Sequence, residues 1–148
     1  MRKTFALAAI WLAFAAVLAF ASPSYAEILH FKADLKGSDE VPPNDTAGTG
    51  TLTATYDTAT RVLTWEGSYS GLTGAPTAAH FHGPAEPGKN AGVKIFISQK
   101  DAPFATPFKG AATLTDDQAA ELLSGRWYVN IHTDQNKGGE LRGQLEKV

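Results

Sequence analysis

Four histidines, His30, His80, His82 and His132, carry most of the chemical potential of this sequence. His80 and His82 flank Phe81 in the run Ala79-His80-Phe81-His82. In a β-strand alternate residues share a face and stand roughly 6.5 Å apart. The two imidazoles would therefore point together while Ala79 and Phe81 enter a core. The same parity in Tyr128-Val129-Asn130-Ile131-His132 puts Val129 and Ile131 inward and Tyr128, Asn130 and His132 on the opposite face. Imidazole nitrogens placed this way can converge on one metal ion. A solvated or structurally hydrogen-bonded histidine is the plainer role for each ring taken alone. His80, His82 and His132 are thus the expected ligand set. His30, on the non-core side of its own strand, is a possible fourth ligand, and Asp134 and Glu140 are oxygen alternatives near His132. Tyr128 and Asn130 either position His132 by hydrogen bonds or satisfy a turn.

The donor inventory narrows the metal. There is no cysteine and the single methionine is Met1, so thiolate and thioether ligands are absent. Disulfides and thiol catalysis are excluded with them. A site made only of nitrogen and oxygen favours Cu(II) or Zn(II).

The elements that must hold these residues are short. Alternating stretches at Ile28–Leu35, Thr51–Tyr56, Val62–Tyr69, Thr77–His82, Val93–Ser98, Phe108–Leu114, Trp127–Thr133 and Glu140–Glu146 read as strands separated by Gly, Pro and Asn. One helix is predicted over residues 116–124. Thr115 is a good N-cap, Gln118 completes a capping box, and Gly125 ends the helix. Asp116 and Asp117 complement its dipole rather than form a catalytic pair. About eight strands with no βαβ rhythm predict an all-β fold, a β-sandwich or Greek-key barrel. Glu140 and Arg142 alternate with Leu141 and are expected to face outward as a weak exposed pair.

The first 26 residues are set apart. Arg2 and Lys3 precede an apolar run from Phe5 to Ala21, and Ser24-Tyr25-Ala26 offers small residues for a signal peptidase. This pattern predicts a cleaved signal peptide over residues 1–26 and a secreted or periplasmic domain over residues 27–148. Losing Arg2 and Lys3 from 13 basic residues leaves 11 against 15 acidic ones, a net charge of −4. That mildly acidic domain has no electrostatic footprint for nucleic acid, and no basic amphipathic stretch for a membrane surface once the signal is cut. No nucleophile elbow, phosphate loop or dinucleotide fingerprint is present, so catalysis would need a water-open metal centre. Asn44-Asp45-Thr46 fits a glycosylation sequon.

Three stretches resemble a known family. Leu35-Lys36-Gly37-Ser38-Asp39-Glu40-Val41-Pro42-Pro43 is similar to the opening of CHRD domains. Tyr69-Ser70-Gly71-Leu72-Thr73-Gly74, leading into Ala79-His80-Phe81-His82-Gly83-Pro84-Ala85, resembles their central motif. Residues 125–133 and Gly139-Glu140-Leu141-Arg142-Gly143-Gln144-Leu145 resemble the closing one. The resemblance implies a secreted or periplasmic β-domain over residues 27–148 without a settled activity. A metal-free module contacting an extracellular protein or glycan through the loops at Asp39–Gly50 and Pro84–Gly92 is the alternative expectation.

Overall fold

The computed structural model describes residues 25–98 and 104–148. The expected signal segment, up to residue 24, lies outside the described residues, as does Pro103. The elements run β1 (Ile28–Lys36), a 3-10 turn (Gly37–Asp39), β2 (Thr49–Asp57), β3 (Val62–Ser70), β4 (Pro76–His82), β5 (Val93–Phe96), β6 (Phe108–Thr113), α1 (Asp116–Leu123), β7 (Tyr128–Thr133), β8 (Leu141–Gln144) and β9 (Glu146–Lys147). The eighth expected strand is two, because Leu145 leaves the ladder to bond Trp127 O.

All strand pairs are antiparallel, in the order β5-β4-β7-β8-β1-β2-β3-β6, with β9 also on β1. The sheet curls into a nearly closed barrel. Trp65 on β3 and Phe81 on β4, near opposite ends of that order, meet edge-to-face with centroids 5.1 Å apart. Period-two alternation explains the wall. In β1 the odd residues Leu29, Phe31, Ala33 and Leu35 are buried and the even ones are exposed. Leu52, Ala54, Tyr56, Leu63, Val129 and Ile131 fill the same core.

Helix α1 forms as its sequence dictates. Thr115 Oγ1 accepts from Gln118 N, and the Gln118 side chain accepts from Thr115 N. Gly125 follows at φ +74°, a left-handed position that suits glycine. The helix sends Ala119 and Leu122 into the core.

Where β3 meets β6, each large aromatic covers a glycine directly across the ladder: Trp65 faces Gly110 and Phe108 faces Gly67. A Cβ at Gly110 would sit 2.5 Å from Trp65 Cζ2, and one at Gly67 would sit 2.5 Å from Phe108 Cζ. Gly110→Ala should therefore cost about 1–3 kcal/mol, read from urea unfolding, because the stiff indole, set edge-to-face against Phe81, must shift to admit the methyl group.

Strands β4, β7 and β8 differ from the rest of the wall. Every residue of β7 from Tyr128 to Ile131 is buried, on both faces. The outer face of these three strands carries a second, polar layer. Its cover is built from the segment between β1 and β2 and from the loop between β4 and β5. Glu140 and Arg142 belong to that layer. They were expected to face solvent as a weak pair, yet they are 0 % and 2 % exposed. The alternation is as expected, but the side that points away from the apolar core is roofed by loops.

Candidate metal centre

His80 and His82 sit at the end of β4, and His132 sits on the neighbouring strand β7. One nitrogen from each of the three rings lies within 4.8 Å of the others. His80 Nδ1 is 3.2 Å from His132 Nε2. The ring centroids of His80 and His82 are 5.5 Å apart.

Two rings have their tautomer fixed by the backbone. His82 Nδ1–H donates to Ala91 O at 3.0 Å, and His132 Nδ1–H donates to Lys137 O at 2.9 Å. A carbonyl can only accept, so a neutral ring held this way bears its lone pair on Nε2. With His132 Nε2 bare, His80 Nδ1–H is the donor across the 3.2 Å contact.

The surroundings of His80 and His82 favour their neutral rings. Burial, then the neighbouring His132 and His82, lower His80 from the usual 6.5 to about 4. His82 is also lowered, first by burial and further by His132 and Arg142, against the opposing bonds to Ala91 and Asn130.

His82 is the most firmly held of the three. Its ring stacks on Tyr128, with centroids 4.9 Å apart and planes 4° from parallel. The guanidinium of Arg142 lies 3.6 Å from the Tyr128 centroid. Arg142 in turn donates from Nη1 to Asn90 Oδ1 and from Nη2 to Lys89 O, which fastens the β4–β5 loop over the layer. His82 Nε2 lies 3.0 Å from the side-chain amide of Asn130, whose other end reaches Glu40 Oε1 at 3.4 Å. Tyr128 and Asn130 thus engage His82, whereas His132 is anchored by Lys137.

The remaining sequence candidates fall elsewhere. His30 is exposed on β1 and stands outside the three-ring group. Asp134 is exposed in the turn after β7 and is also outside it. Glu140 is committed to structure: Oε1 accepts from Thr46 Oγ1 and Thr73 N, and Oε2 accepts from Thr73 Oγ1, Thr133 Oγ1 and Asn136 Nδ2. Burial alone would raise this carboxyl, but these bonds hold it down at about 2. Asn44 of the sequon is half-buried and donates to Glu140 O at 3.0 Å.

Glu40, part of the stretch resembling the family's opening motif, was not expected near the histidines. It is 5 % exposed, and burial pushes its carboxyl up to about 7 against the pull of Asn130, Arg142 and Val41 N. Its position 90 residues from Asn130 leaves no local pattern to read.

The family model of the CHRD domain matches residues 31–145. No curated protein and no solved structure matches the chain.

Proposed function

The chain belongs to the CHRD domain family, and on that premise we propose that it is an exported protein that captures one divalent metal ion, Cu(II) or Zn(II), through His80, His82 and His132. The observation that carries this reading is the convergence of three imidazoles with one nitrogen each within 4.8 Å of the others, two of them with Nδ1 at a carbonyl. Carbonyl-tied imidazoles are the usual form of a histidine that ligates through Nε2. Two nitrogens at zinc-ligand distance in a tetrahedron stand about 3.3–3.4 Å apart. The 3.2 Å between His80 Nδ1 and His132 Nε2 is close to that edge, and His80 would ligate through Nδ1 with its ring proton moved to Nε2. Three nitrogens leave a fourth position for water or an external ligand. Export rests on the signal pattern of residues 1–26.

The metal-free alternative draws on the two long loops, but much of their polar surface is spent internally. Lys89, Asn90 and Ala91 hold Arg142 and His82, while Asn44 and Thr46 hold the segment around Glu140.

Titration of the purified protein with Cu(II), followed by calorimetry and electron paramagnetic resonance, tests the proposal. One ion per chain with nitrogen hyperfine coupling from three imidazoles is expected. Coupling from fewer than two, or a weak uptake of several ions per chain, would rule it out.

A further inference from the structure

Arg142 is a cation only 2 % exposed, and among the described residues no carboxylate stands within 4 Å of it. Burying a guanidinium without an ion-pair partner is costly and does little for stability by itself. Its contacts all lead toward His82. The guanidinium lies 3.6 Å from the Tyr128 centroid, and the Tyr128 ring stacks on the His82 imidazole. Its hydrogen bonds to Lys89 O and Asn90 Oδ1 fix the two residues that precede Ala91. The Tyr128 hydroxyl then grips Ala91 itself: it accepts from Ala91 N at 3.1 Å and donates to Ala91 O at 3.3 Å. Ala91 O stands 3.0 Å from His82 Nδ1. The His82 ring is thus held on its face by Tyr128, and at its edge by a carbonyl that Tyr128 and Arg142 keep in place. The other two rings have less support. Among the described residues His132 has a single carbonyl partner, Lys137 O, and His80 hydrogen-bonds only to His132.

Building on the metal reading above, we infer that Arg142 is a positioning residue for the metal centre, which fixes the His82 ring before an ion arrives by acting through Tyr128 and the segment 89–91. By charge alone, a cation one ring removed from His82 would repel the ion. Geometry accounts for its place. A planar fork can take both loop acceptors while lying on an aromatic face, and an ammonium group cannot. His82 is then the fixed ligand, and the half-buried His80 and His132 close on the ion against it. A ligand held rigid in advance loses less freedom on binding. Outer contacts that orient a metal ligand are worth about 10–100-fold in affinity.

Charge and positioning predict opposite signs for Arg142→Gln. A role as charge alone would make this variant bind Zn(II) more tightly, whereas positioning makes it bind about tenfold more weakly or worse. Arg142→Lys keeps the charge and should be weakened as much. Tyr128→Phe keeps the stacked ring and drops only the hydroxyl bonds to Ala91, so it should fold as the native protein does and lose about threefold, the value of one net hydrogen bond. Calorimetry would measure Zn(II) binding. NMR of the metal-free proteins would follow the His82 ring protons, which the Tyr128 ring current displaces; both Arg142 variants should lose part of that displacement. Leu52→Ala, a core truncation on β2, lowers stability away from the site and should change neither readout. Tighter zinc binding by Arg142→Gln, native affinity in Arg142→Lys, or an equal loss in Leu52→Ala would overturn the inference and leave the metal reading standing. Should the Arg142 variants fail to fold, native zinc affinity in Tyr128→Phe would overturn it. No zinc uptake by the native protein would overturn both.

Discussion

His80→Ala, His82→Ala and His132→Ala are each expected to weaken Cu(II) binding on the order of 100-fold or more, while His30→Ala leaves it unchanged. Even the outer partners that orient a ligand are worth about 10–100-fold in metal affinity, and losing one of three nitrogens should exceed that. His30 is the matched control. It is an imidazole on a strand's outer face, but it stands on β1 and apart from the three-ring group. His80 and His132 are half-buried, so their loss should leave the fold intact. His82 is 8 % exposed and stacked on Tyr128, so its variant should also lose about 1 kcal/mol of stability. Competition against a chromophoric chelator would measure the affinities. If all three variants lie within threefold of the native protein, the histidines do not hold the metal.

The largest effect on stability is expected at Glu140. Its carboxylate receives hydrogen bonds from Thr46, Thr73, Thr133 and Asn136, and so ties the β1–β2 and β3–β4 connections to the end of β7. Glu140→Ala strands several buried donors at once and should cost on the order of 3 kcal/mol, more than any exposed ion pair here. The pH dependence has a definite sign. The folded carboxyl titrates at about 2, below its ordinary 4.5. Its stabilising contribution is therefore full above pH 4.5 and is lost as the pH falls toward 2. Urea unfolding of native and Glu140→Gln protein should give curves separated by a constant gap above pH 4.5 that closes toward pH 2. A gap that persists to pH 2 would contradict this account. By contrast, Arg61 and Asp116 form an exposed pair at 2.6 Å, and breaking it should change stability by less than about 1 kcal/mol.

Much of this architecture is legible in the sequence because period-two alternation and a capping box are local signals. The expected strands and the helix correspond to observed elements, and the parity that takes His80, His82 and His132 out of the apolar core is correct. Parity distinguishes two sides of a strand, but it does not say what lies over the second side. Glu140 and Arg142 were expected to be exposed for that reason, since the loops that roof them come from residues 44–46, 73 and 89–90. Asn130 and Tyr128 were on the right face, yet their partner is His82 rather than His132, because cross-strand register sets His82 opposite Tyr128. Glu40 stood in the stretch resembling the family's opening motif, but nothing local linked it to Asn130.

The pairing of β4 with β7 has a consequence for when the site can exist. His80 and His82 precede His132 by 50 residues or more, and β5, β6 and α1 intervene. A chain synthesised only as far as β5 has two imidazoles of the trio and lacks the third, His132. Pairing such distant segments costs more loop-closure entropy than forming the local hairpins of β1 to β3. Completion of the fold is therefore what assembles the trio: an unfinished chain lacks it, and the finished barrel has it.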